Sequence, residues 1–144
     1  MLILILVITV KSDQSFKVGG FLGAVLLACG LTWLWDFISS IYFPGIAAWN
    51  LTLISLFFYV ESSLIGSYSL TRHIIEGHIR AGVRVGLAAW ALNLAFRLIL
   101  FDLAEALWGL IIYFVGFLLG GVLGGFLGKR LGQTSWIQRK ATNP

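Results

Sequence analysis

Glu61 stands inside an otherwise apolar stretch, with Ser62 and Ser63 after it and Ser67 nearby. A carboxylate in such surroundings can handle a proton or a cation, because burial disfavours its charged form. Asp36 and Arg97 also interrupt long apolar runs, and Arg84 opens another. Opposite charges in an apolar medium pair with each other, so Asp36–Arg97 and Glu61–Arg84 are the expected ion pairs. Asp102 and Glu105 are rival partners for Arg97. Asn93 can make a hydrogen bond between helices, at a depth similar to Ser55.

His73, Glu76 and His78 invite a metal reading, but the motif is not His-Glu-x-x-His. Histidines five apart do not share a helix face, and Gly77 weakens any helix between them. A solvated basic loop at lipid headgroups is the expectation. Cys29, the one cysteine, has no disulfide partner and no metal-site spacing, and reads as a small buried apolar residue. No nucleophile–base set, phosphate loop or cysteine pair occurs. The chain is therefore not expected to be an enzyme, and neither a metal nor a cofactor is expected.

These residues sit in a chain that is 59% hydrophobic and 11% charged. A soluble domain carries about 25% charged residues. With 144 residues, the chain reads as an all-α membrane protein. The net charge of +4 matters less than its placement. Lys11, Lys17, Arg72, Arg80, Arg84, Lys129, Arg130, Arg139 and Lys140 fall in connecting or near-boundary segments, and Arg97 alone lies elsewhere. Such clustering sets topology. Without an accompanying motif or aromatic platform it does not indicate nucleic-acid binding.

Periodicity and turn signals predict four transmembrane helices, at about 18–39, 47–70, 81–101 and 106–128, in an antiparallel bundle. Pro44-Gly45 is the turn after the first helix. Residues 1–17 form a short apolar segment and a polar linker. The apolar run Met1–Val10 covers about half of a ~30 Å hydrocarbon core. It can lie in the interface, dip into the bilayer or pack on a partner. Residues 129–144 form a basic tail.

With the amino terminus inside, nearly all Lys and Arg are cytoplasmic, Asp36, Asp102 and Glu105 lie at the other face, and both termini are cytoplasmic. Trp33, Trp35, Trp49 and Trp108 then fall near the outer boundary, where aromatic belts form. By helical rise Asp36 is ~27 Å and Arg97 ~24 Å from the inner boundary, and Glu61 is ~9 Å and Arg84 ~5 Å from it. A charge at the bilayer centre costs at least about 2.5–3.5 kcal/mol, which is why these four residues are the candidates for intramembrane pairing or function.

Gly116, Gly120, Gly124 and Gly128 recur every four residues and share one helix face, widened by Gly121 and Gly125. Such a ridge lets another helix backbone approach closely. Gly20, Ala24 and Ala28 make a second small-residue ridge, expected to receive the first. The sequence thus suggests a small plasma-membrane protein that acts by helix packing. It would be an accessory or assembly subunit, or a self-associating scaffold, with membrane lipids and other membrane subunits or itself as partners. The alternative is a small oligomeric channel or transporter for protons or ions that uses Glu61.

Overall fold

The computed structural model describes residues 18–44, 48–74, 76–100 and 103–142, and their side chains except at 48–51, 100, 103–109 and 132–142. The segment 1–17, with Lys11 and Lys17, lies outside the described residues, as do Asp102 and the side chains of Glu105, Trp49, Trp108, Arg139 and Lys140.

The described chain is all-helical: α1 (Val18–Tyr42), α2 (Ala48–Thr71), α3 (His78–Leu100) and α4 (Leu103–Thr142). Each contains an apolar span of 20–25 residues. At ~1.5 Å per residue, all four are long and apolar enough to cross a ~30 Å hydrocarbon core.

Several helix limits differ from the sequence expectation, and α1 runs to Tyr42 rather than to residue 39. α3 starts at His78 rather than at residue 81. Gly77 takes φ of 73°, in the left-handed region open to glycine. Its carbonyl accepts the first helical bond, from the Ala81 N–H at 2.9 Å. Gly77 thus ends the connection, and the helix begins at once. α4 exceeds the expected 106–128 at both ends and continues to Thr142. Lys129 and Arg130 are good helix formers, and no proline follows them before Pro144.

The sequence expectation also named the wrong partner for the glycine face. Among the described residues α4 packs on α2 and α3 and makes no contact with α1. Beginning at Gly116, the ridge steps along α2 in register. Gly116 faces Tyr59, Gly120 faces Ser63, Gly124 faces Ser67 and Gly128 faces Thr71. Both series advance by four and ascend together, so α2 and α4 run in the same direction along this seam. A methyl group added at Gly124 would lie 2.6 Å from the Leu64 carbonyl oxygen. The second glycine row meets α3: a methyl group at Gly121 would lie 2.7 Å from the Gly82 carbonyl oxygen, and one at Gly125 would lie 2.7 Å from that of His78.

Gly20, Ala24 and Ala28 do pack, but against α2. A methyl group at Gly66 would come within 2.6 Å of the Ala24 carbonyl oxygen and 2.9 Å of Ala28 Cβ, while Leu70 lies over Gly20. The reason for the exchange is that small residues occur on all four helices. A ridge specifies that some backbone will come close, but not which one. Hydroxyls on α2 add direction. Ser63 donates to the Phe117 carbonyl at 2.7 Å, Ser67 to that of Gly82 at 3.2 Å and Thr71 to that of Gly124 at 3.0 Å. These three residues share one helix face at intervals of four, and no equivalent stripe of hydroxyls exists on α1.

Candidate functional site

All four helices send a side chain to one cluster: Asp36 from α1, Tyr59 from α2, Arg97 from α3 and Tyr113 from α4. Arg97 Nη2 donates to Asp36 Oδ2 in a salt bridge. The same nitrogen donates to the Tyr59 hydroxyl at 2.9 Å, and that hydroxyl donates to Asp36 Oδ1 at 2.8 Å. Tyr59 therefore bridges both charges. The guanidinium also lies over the Tyr113 ring, 4.5 Å from its centroid, and Nη1 reaches the Tyr113 hydroxyl at 3.4 Å. The ring face is negative and attracts the cation.

Two tryptophans flank this cluster. Trp33 Nε1 donates to Asn93 Oδ1 at 3.1 Å, and Trp35 Nε1 donates to Ser55 Oγ at 2.9 Å. Trp35 also stacks on Phe58, with ring centroids 3.8 Å apart. Both indoles donate to side chains of neighbouring helices. Asn93 and Ser55 each accept a bond from α1. Cys29 is buried, and its thiol donates to the Ala89 carbonyl at 3.4 Å.

The cluster leaves little room. Beside it is a cavity of about 10 Å³ lined by Trp90, Asn93, Leu94, Arg97, Leu110 and Tyr113. That is at the lower limit for a single water. The Asp36 and Arg97 side chains are 31% and 23% exposed, so they sit at the edge of the packed interior with most of their surface covered by the bundle.

Glu61 is placed differently. It is exposed on α2 and borders a groove of about 180 Å³ between α1 and α2, with Leu31, Leu34, Trp35, Ile38, Phe58, Ser62 and Ile65. The expected Glu61–Arg84 pair does not form: Arg97–Asp36 is the salt bridge found among the described residues. The reason is angular. Ser63 and Ser67 turn towards α4 and α3, and Glu61 is two residues from Ser63, about 200° around the helix. It therefore faces away from α3, where Arg84 is carried.

The histidines are also separated. His73 is exposed and its Nε2 accepts from Arg72 Nε at 2.9 Å, while His78 is buried in the first turn of α3. Among the described residues no group of His, Cys, Asp and Glu is arranged to hold a metal ion. Sequence reasoning missed Tyr59 and Tyr113. Both lie in apolar helices without a motif, and only the reach of their hydroxyls to a charge marks them.

Comparisons with protein families, with curated proteins and with solved structures return no match to this chain.

Proposed function

We propose that this chain is a multi-pass membrane protein, an antiparallel bundle of four transmembrane helices that acts through helix packing. In this reading it serves as an accessory or assembly subunit of a larger membrane complex or as a self-associating scaffold. It resides in the plasma membrane with both termini cytoplasmic. The observation that carries the reading is the engagement of Asp36 and Arg97 with each other and with the tyrosines of two further helices. Groups that could bind a substrate are spent on holding helices together. A charge that is paired and hydrogen-bonded to neighbouring helices contributes to a fixed arrangement more than to chemistry.

Purification from native membranes in mild detergent, followed by mass analysis, tests this role. Stoichiometric recovery with other membrane proteins, or as a defined homo-oligomer, is expected; a monomer without partners would remove it. Orientation is tested by labelling from outside: a cysteine placed at Gly45 should react and one placed at Gly77 should not.

A second reading rests on Glu61, a carboxylate exposed on an apolar groove. It makes the protein a small oligomeric channel or transporter for protons or ions. Wild-type protein in liposomes should then pass protons or a common ion, and Glu61→Gln should abolish the flux with the fold intact. Liposomes without flux under any gradient would remove this reading.

A further inference from the structure

We propose that two copies of this chain associate head to tail, with Arg84 on α3 of one copy paired to Glu61 in the α1–α2 groove of the next. The inference rests on the packing role proposed above and names the surfaces that carry it.

Glu61 lies near the middle of the apolar span Thr52–Thr71. It is exposed, and among the described residues it has no hydrogen bond or ion pair. Arg84 lies within the apolar span His78–Ile99, is half-buried, and is likewise unpaired among the described residues. After the Asp36–Arg97 pair has formed, Glu61 is the anion left inside the spans, and Arg84 is the remaining cation farthest from a span end, since Arg80, Lys129 and Arg130 lie within three residues of one. An ionisable group in hydrocarbon seeks a partner. The two face different sides of the bundle and cannot meet within one chain, whereas two chains can bring them together.

Their levels agree. Ser67 of α2 donates to the Gly82 carbonyl of α3, which aligns the two helices at that point. From there, by helical rise, Glu61 is about 9 Å and Arg84 about 3 Å towards the end that holds Asp36. The difference of about 6 Å is within reach of a long arginine side chain. Copies oriented alike in one membrane would keep that relation.

The surfaces also fit. Arg84 shares the outward stripe of α3 with Arg80, Ala91 and Ala95. The alanines leave room for a neighbouring backbone. The groove around Glu61 has a stacked Trp35–Phe58 wall and is otherwise mostly aliphatic. At about 180 Å³ it is small beside ligand sites of roughly 300–1,000 Å³ and suits an inserted side chain better than a free ligand. Because different faces meet, the contact is heterologous and builds a ring or a chain of copies.

The test co-expresses two differently tagged copies in membranes and measures how much of one is recovered with the other in mild detergent. Wild-type copies should co-purify. Glu61→Arg with itself, or Arg84→Glu with itself, should lose roughly tenfold, as expected for one pair between membrane helices. Mixing the Glu61→Arg copy with the Arg84→Glu copy should restore recovery, because each then offers the charge the other lacks. The milder Glu61→Gln and Arg84→Gln variants should each lower recovery, and near-ultraviolet circular dichroism should show the tryptophans of every variant still packed. Wild-type copies that do not co-purify, recovery indifferent to either charge, or failure of well-folded opposite variants to rescue each other would overturn the proposal. A chain that co-purifies with unrelated subunits but not with itself would overturn this contact and leave the packing role standing.

Discussion

The two ends of the bundle are held by different physics. Towards one end, Gly120, Gly124 and Gly128 of α4 lie against the backbone and small side chains of α2, and Gly125 lies against α3. Towards the other end, Asp36, Tyr59, Arg97 and Tyr113 join all four helices through charge and hydroxyl groups. The glycine end depends on shape, and any added carbon must displace backbone. The polar end depends on complementarity of charge, and an isosteric change that removes one charge leaves its partner unmet. Close packing therefore fixes how near the helices come, whereas the polar cluster fixes which four helix positions coincide.

The sharpest way to break this contrast is Gly120→Ile. A Cβ there would strike the Val60 carbonyl and lie 2.7 Å from Ser63 Cβ. Overpacking against backbone should cost more than about 4 kcal/mol, or prevent assembly of the fold. It is read as thermal aggregation in detergent and as recovery of folded protein. Next comes the charge pair. Asp36→Asn alone, or Arg97→Gln alone, should destabilise by about 2–3 kcal/mol, because the remaining charge is left without its partner. The cost is below the value for a fully buried pair because the two side chains are 31% and 23% exposed. The double variant should recover part of that loss, and a double-mutant cycle by detergent-denaturant titration measures it. If each single change costs less than the double, the pair is not the organising feature of that end.

Tyr59→Phe should have a smaller effect, about 1–2 kcal/mol, since it removes one hydroxyl that bridges both charges but leaves the ion pair. Its effect should shrink in the Asp36→Asn background, where the bridge is already broken. The smallest effect belongs to Leu119→Ile. Leu119 is 50% exposed beside the buried Gly120, and a volume-conserving change there should cost under about 1 kcal/mol. Equal behaviour of Leu119→Ile and Gly120→Ile would remove the shape argument for the glycine end.

Glu61 and Asp36 extend the comparison to single carboxylates. Both interrupt apolar helices, and sequence spacing gave both a cation at a reachable depth. Depth depends on helical rise alone and is read directly from the chain. Facing depends on how each helix is rotated against its neighbours. Asp36 turns inward to Arg97, while Glu61 turns to the α1–α2 groove.

Composition and periodicity by themselves determined that the chain is helical, that four helices are long and apolar enough to cross a membrane, and that the first two are separated by a turn at Pro44, whereas the start of α3 directly after Gly77 came from the structure. These are local properties of length, hydropathy and backbone chemistry. They also marked Asp36 and Arg97 as a pair, because two charges at one level in apolar helices have few other partners. Tertiary structure alone decided that α4 meets α2 and α3 rather than α1, that Tyr59 and Tyr113 complete the charge cluster, and that Glu61 and Arg84 stay apart. Several helices carry small residues suited to close contact. The choice among them is made by rotation, register and the hydroxyls of Ser63, Ser67 and Thr71, which take effect only when the helices are assembled together.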